Sequence, residues 1–210
     1  MKYIYKLTLL ISALWFGGCG ETPENNPIAG DIASIRVDIN ESGHSSMYAD
    51  EKIQFVATVS YTEDIPDRNV TESVKWRSSN TTIAEVSPTG MVTGVSESGT
   101  VEITASYDHF DDTKSIDVYA LTSIELTAPS IDVPKGQTIQ VKATGTFDDG
   151  SDTKREITFN EKLEWVLTKP DDSNASLEQN GTLYTGDKNT TLDINVTRYD
   201  INASLKINVI

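Results

Sequence analysis

Over residues 52–61, KIQFVATVSY, apolar side chains recur at every second position: Ile53, Phe55, Ala57, Val59 and Tyr61. Residues 138–147, TIQVKATGTF, repeat the arrangement with Ile139, Val141, Ala143 and Phe147, interrupted by Gly145. A period of two over this length predicts strands with one buried face. The matching continues in the same order. Trp76 in VKW pairs with Trp165 in LEW, and IAEVSPTGMVTG (83–94) with ASLEQNGTLYTG (175–186). Val101, Ile103 and Ala105 pair with Leu192, Ile194 and Val196. Ile116 and Val118 pair with Leu205 or Ile207, and with Val209. The interval between partners is 86 residues at Ile53/Ile139 and 91 at Gly90/Gly181. The second copy therefore has a longer connection between its second and third strands. An internal repeat of this kind sets the architecture. Each copy holds about seven short strands with turn signals between them, which is the pattern of a β-sandwich. No long stretch keeps a 3.6-residue apolar stripe, so helices are expected to be scarce and the fold class all-β.

The paired tryptophans read as core residues, each two positions from an apolar neighbour, Val74 or Leu163. The alternative is a sugar-binding platform. The run VKWRSSNTTIAEVSPTGMVTGVSESGTVEITA resembles the bacterial immunoglobulin-like group 2 family. The Trp-Ser-Ser-Asn, the Ala-x-Val-Ser before a turn glycine, the Val-Thr-Gly and the Ser-Gly-Thr leading a strand carry that resemblance. It covers residues 33–120 and extends more weakly over 121–210. There LTKPDD replaces the Ser-Ser-Asn turn and DKNTT replaces Ser-Gly-Thr. In the first copy Asp50 stands where the family often places glycine. The resemblance implies two tandem Ig-like β-sandwich domains of the modular, extracytoplasmic kind found in adhesins and surface stalks, with no catalytic residues.

The N-terminus is organised differently. MKYIYKLTLLISALWFGGCG places Lys2 and Lys6 before an apolar run from Leu7 to Phe16, followed by small residues. That is the layout of a secretory signal, and the run is too short for an ordinary membrane span. The sole cysteine, Cys19, follows Gly17 and Gly18 directly. The stretch resembles a bacterial lipoprotein signal, with Phe16 where leucine is usual. The resemblance implies removal of residues 1–18 and lipidation of Cys19, an anchor that several acyl chains make stable. It also implies a cell-envelope location, in the outer membrane, facing the periplasm or the surface. Residues 19–32 then read as the lipidated cysteine and a flexible tether rich in Pro, Gly, Asn and Glu.

Charge narrows the partners. The formal net charge is −15 over 210 residues, and loss of Lys2 and Lys6 takes it to −17. An acidic chain of this kind lacks the basic footprint of a nucleic-acid binder. One cysteine permits no internal disulfide and no Cys-rich zinc site. The two histidines, His44 and His109, are not spaced as a metal pair. FDDGSD (147–152) suggests calcium, but Asp148, Asp149 and Asp152 do not keep the alternating order of an EF-hand loop. Asp-Gly-Ser is also a hairpin turn. YDHFDD (107–112) reads as a solvated hairpin loop. No nucleophile elbow or phosphate loop occurs, so no metal, cofactor or catalytic residue is expected and the chain reads as non-enzymatic.

One further pattern stands out. DINVTRYDINAS (193–204) contains Asp-Ile-Asn-x-Thr/Ser twice. The chain has eight Asn-x-Ser/Thr sites with x not proline, at Asn40, Asn69, Asn80, Asn174, Asn180, Asn189, Asn195 and Asn202. Two residues before them stand Asp38, Asp67, Ser78, Asp172, Glu178, Asp187, Asp193 and Asp200, seven acids where composition alone gives roughly one. The pattern resembles the extended sequon of bacterial N-glycosylation. That resemblance implies glycosylation at Asn40, Asn69, Asn174, Asn180, Asn189, Asn195 and Asn202, with Asn80 bare. Strand alternation explains polar residues at these positions but not the repeated choice of acid. Asn180 and Asn189, expected in loops, are the better acceptors; Asn195 and Asn202, in or beside strands, are the poorer ones. The sequence thus points to an envelope protein held to the membrane by its N-terminal lipid, whose Ig-like pair binds a protein or glycan. The alternative is a glycosylated spacer without a ligand.

Overall fold

The computed structural model describes residues 31–40, 45–62, 64–170 and 172–210. The signal, Cys19, nearly all of the tether and His44 lie outside the described residues.

Nineteen strands and no helix make up the described residues. The first nine are β1 (Ile32–Ile39), β2 (Ser46–Tyr48), β3 (Lys52–Tyr61), β4 (Arg68–Asn69), β5 (Lys75–Ser78), β6 (Ala84–Val86), β7 (Met91–Gly94), β8 (Gly99–Tyr107) and β9 (Phe110–Tyr119). The remainder are β10 (Leu121–Thr127), β11 (Asp132–Val133), β12 (Thr138–Gln140), β13 (Lys142–Phe147), β14 (Thr153–Glu156), β15 (Glu164–Thr168), β16 (Ser176–Leu177), β17 (Thr182–Tyr184), β18 (Thr190–Arg198) and β19 (Ile201–Val209).

In the first unit one sheet runs β1-β3-β7-β6, with β4 also on β3, and the facing sheet runs β2-β9-β8-β5. The alternating residues supply the layer between them: Phe55, Ala57, Val59, Ile103 and Ala105 are fully buried. The second unit repeats the plan with β11-β19-β18-β15, but its other sheet divides into β12-β17-β16 and β10-β13-β14 because the counterpart of β3 breaks at Val141. Its core is built on Phe147, Leu163, Trp165, Leu183, Leu192, Ile194 and Ile207. Ile207 is buried and Leu205 only partly so, which makes Ile207 the partner of Ile116. The first unit has nine strands and the second ten, more and shorter than the seven expected per copy.

The repeated Ile-Gln and turn glycine form one device. Gly90 and Gly181 have φ of 78° and 80°, a conformation glycine adopts without steric strain. A side chain there would meet backbone: an added Cβ falls 2.6 Å from the Phe55 carbonyl oxygen and 2.3 Å from that of Val141. The glutamines clamp these turns. Gln54 Nε2 donates to the carbonyls of Phe55 and Thr89, and Gln140 Nε2 to those of Val141 and Asn180.

The added length of the second copy lies on both sides of Trp165. Thr71 Oγ1 accepts the N–H of Ala57, and Thr158 Oγ1 accepts that of Ala143, which makes the two threonines equivalent. Trp76 follows Thr71 by five positions and Trp165 follows Thr158 by seven. In the first copy Trp76 Nε1 donates to the Thr71 carbonyl at 2.8 Å. In the second the insertion separates these groups, and the buried Trp165 Nε1 has no protein partner. Trp165 is 4% exposed, and Trp76 is only partly buried against the first core. Trp165 is a core residue, while Trp76 packs against the first core and also lines a shallow surface pocket with Arg77 and Glu85.

Candidate functional site

The sequence singled out three kinds of residue: sequon asparagines, acidic loops and paired tryptophans. The fold places the acidic loops and all of the sequon asparagines except Asn180 and Asn195 at the surface, and it adds a seam between the units that pattern reading did not reveal.

Asn40 is exposed just beyond β1, and Asn69 is exposed in β4 with its Oδ1 accepting the Thr71 N–H. Asn174 is exposed, and its Oδ1 accepts the N–H of Asp187. Asn189 is exposed in the loop before β18. Asn195 is half-buried within β18, opposite Ser204 of β19 and Val166 of β15. Asn202 is exposed in β19. Asn180 departs from the accessible loop expected of it. It is half-buried in a turn, its Oδ1 accepts the Thr182 N–H, and its Nδ2 donates to Glu178, the acid two residues before it. The turn that buries Gly181 draws Asn180 in with it. Other sequon acids pair with bases: Asp38 with Arg36, Asp172 with Lys188 and Asp193 with Lys206. Exposed pairs of this kind contribute little to stability.

The FDDGSD segment is the hairpin loop between β13 and β14. Asp149 Oδ1 accepts the N–H groups of Ser151 and Thr153, and Tyr48 Oη donates to Oδ2. Hydrogen bonds from Thr153, Ser151 and Tyr48 hold the Asp149 carboxyl down at about 2. Its oxygens therefore serve the turn. YDHFDD forms the β8–β9 hairpin with Asp108 at φ 56° and His109 exposed. Asp112 has a role that alternation does not show: its Oδ2 accepts the Val37 N–H at 2.6 Å, tying β9 to the edge strand β1. Among the described residues no three His, Cys, Asp or Glu side chains converge as a metal cage, and no helix is long and apolar enough to cross a membrane.

The seam is centred on Asp50. Its side chain is 9% exposed at φ 68° and accepts from four residues of the second unit. Arg198 grips it as a fork, Nε to Oδ2 at 2.8 Å and Nη2 to Oδ1 at 2.5 Å. Asn160 Nδ2 donates at 3.0 Å, Tyr199 Oη at 3.0 Å, and Lys162 Nζ lies at 3.1 Å. Burial alone would raise the Asp50 carboxyl, but the bonds from Arg198, Asn160 and Lys162 and the guanidinium charge bring it to about 2. Burial and the Asp50 charge push the Tyr199 phenol up to about 12. Beside this hub the Tyr48 ring meets Phe147 edge-on at 5.0 Å, with the Arg155 guanidinium 4.3 Å above it. Arg155 also pairs with Glu51 at 3.5 Å. A shallow cleft opens here, lined by Tyr48, Glu51, Phe147, Arg155 and the 71%-exposed Phe159.

The fold and the turn device define a class, and comparison with known proteins gives it a name. Residues 34–117 match the bacterial Ig-like domain (group 2) family, and that stretch of the chain is such a domain. Ice-binding protein 1 of Shewanella frigidimarina (strain NCIMB 400) is 39% identical over 100 residues, 46% of this chain and 11% of that protein. The chain thus matches about a tenth of that relative's length. Among solved structures, domains 4 and 5 of the S-layer protein SbsC share 16% identity over 86% of this chain and all of theirs, with a TM-score of 0.37. The Yersinia pseudotuberculosis adhesin InvE shares 11% over 86% of this chain and 60% of its own, with a TM-score of 0.39. A C-terminal intimin fragment, solved with the intimin-binding domain of the translocated intimin receptor, shares 15% over 86% and 64%, with a TM-score of 0.31.

Proposed function

We propose that the protein is a lipid-anchored component of the bacterial cell envelope whose Ig-like pair is a binding or adhesion module for an envelope or extracellular partner. The observation that carries this reading is the group 2 bacterial Ig-like domain over residues 34–117. The relative with the matching segment is named for binding ice, and the shared segment is about a tenth of it. Residues 121–210 are read as a second, diverged domain of the same kind, supported by their own core and by the shared glutamine-clamped turn. Residues 1–18 are read as the signal, Cys19 as the lipidated residue and 19–32 as the tether. Support comes from the apolar run and the position of the sole cysteine. The seven acid-preceded asparagines are proposed glycan acceptors, with Asn189, Asn40 and Asn202, exposed on the surface, ahead of Asn180 and Asn195.

A specific observation favours the spacer reading as the second choice. Among the described residues the large exposed apolar side chains are four, Ile131, Phe159, Val166 and Ile210, at separate points along the chain. Retention of the two-unit chain by envelope fractions, with and without the second unit, separates the readings. Saturable retention supports the module; its absence from every fraction refutes it. Intact mass of detergent-extracted protein tests the rest. Loss of residues 1–18 with added acyl chains supports the anchor, and repeated sugar increments support the sequons. An unmodified mass refutes both.

A further inference from the structure

We infer that Asp50 is a latch that joins the two units into one rigid body, holding the second at a fixed angle to the first. This goes beyond the proposed function and does not depend on it.

The inference comes from the differences between the copies. Asp50 and Gly136 are equivalent: each precedes its Ile-Gln by the same interval, has φ near 70°, and donates its N–H to a glycine carbonyl, Gly94 or Gly186. The turn is satisfied by glycine in one copy, so the turn does not require the carboxylate at 50. Arg198 and Tyr199 are equivalent to Tyr107 and Asp108 at the tip of the corresponding hairpin, where Asp108 and Tyr199 share φ of 56° and 53°. The hairpin does not require a guanidinium either. Asn160 and Lys162 lie in the segment that the second copy lengthens by two residues before its tryptophan. That insertion leaves Trp165 Nε1 unpartnered, a cost within its own unit. Two departures, the hairpin tip and the insertion, thus converge on the third, the Asp50 carboxylate, and of their residues only Tyr199 also packs against a core.

The geometry suits a latch. Exposed ion pairs contribute little, because water screens them and long side chains must be ordered to form them. Here a forked guanidinium fixes both distance and angle. Arg198 is only 16% exposed, and three further donors complete the carboxylate's coordination. The Tyr48–Phe147 contact and the Arg155 guanidinium over the Tyr48 ring add a second contact beside it, along the cleft. Relative motion is the default for tandem domains whose interface is not large and hydrophobic, so a fixed angle here rests on the cluster around Asp50 and the Tyr48–Phe147 contact.

The test is the alignment of backbone N–H vectors in the full chain, measured as residual dipolar couplings for each unit. A latch gives both units one common alignment frame in the wild type. Asp50→Gly, which installs the residue the second copy already carries, and Arg198→Met each produce two frames. The double variant is no more disordered than either single one, because both remove the same contact. Spectra of each unit report that it remains folded. Two frames in the wild type, or one frame retained in both single variants, overturn the inference. So does a response to Asp50→Gly confined to amides of its own turn, with those around Arg198 and Tyr199 unmoved.

Discussion

The sharpest quantitative test compares two alanine substitutions at glycines of nearly identical conformation. Gly181 and Gly136 have φ of 80° and 71°. A left-handed alanine costs about 1 kcal/mol at either position through its own backbone. The surroundings differ. Nothing lies within 4 Å of a Cβ built on Gly136, whereas one built on Gly181 falls 2.3 Å from the Val141 carbonyl oxygen and 3.1 Å from the Trp165 ring. The Gly181 turn must therefore move by about 1 Å. It cannot do so without stretching the Val141 N–H bond to the Gly181 carbonyl, now 2.9 Å, and the Gln140 clamp beneath it. Loss of one or two such bonds adds about 1 kcal/mol each, and misplacing Trp165 adds a similar amount. Gly181→Ala is expected to lose about 3–4 kcal/mol and Gly136→Ala about 1 kcal/mol. Urea unfolding of the full chain followed by tryptophan fluorescence measures both, with Trp165 reporting directly on the second unit. Equal losses, or a larger loss at Gly136, would refute the claim that close backbone approach rather than turn conformation selects glycine at 181.

The tryptophans give a second matched pair. Trp76→Phe removes a bonded indole N–H and leaves the Thr71 carbonyl unpaired, so it is expected to cost about 1–2 kcal/mol more than Trp165→Phe, which removes an N–H already without a partner; a larger loss at Trp165 would count against this. Asp50 has its folded carboxyl at about 2 against an ordinary 3.8. Its stabilisation, on the order of 1–2 kcal/mol once solvent screening is allowed for, is fully present above about pH 5 and is lost as pH falls through about 2. Acid titration of stability in Asp50→Asn should lack that component, and an unchanged acid limb would contradict it. Tyr199, raised to about 12 by burial and the Asp50 charge, is expected to ionise late in an ultraviolet titration, with Tyr199→Phe deleting that late step.

The fold was legible where the residues involved are close in sequence. Period-two runs at Ile53–Tyr61 and Leu192–Val196 announced their own buried faces, and Gly90 and Gly181 marked their turns. The recurrence of Ile-Gln was visible too, although its reason, an amide bridging two carbonyls of a turn, exists only in the folded chain. What escaped was long-range and polar. Asp112 lies in a stretch that reads as solvated loop, yet it fastens an edge strand 75 residues away. Arg198 and Tyr199 sit between the two Asp-Ile-Asn copies and have no periodicity of their own, so nothing local announces that their partner is 148 and 149 residues upstream. Asp50 showed only as an unusual residue at a glycine position. Asn180 was placed correctly at a turn, but its burial depended on how that turn packs.

The near-identity of φ at Asp50 and Gly136 bears on how tandem arrays of this kind acquire their joints. Aspartate is among the few residues with a side chain that visit the left-handed region at modest cost. In the genetic code a glycine triplet GGT becomes the aspartate triplet GAT through one base. A duplicated unit can therefore gain the central carboxylate of a joint in a single mutational step without refolding its turn, and lose it by the reverse step. Stiffness between neighbouring repeats becomes a trait that selection can set repeat by repeat, while the sandwich that carries it stays unchanged.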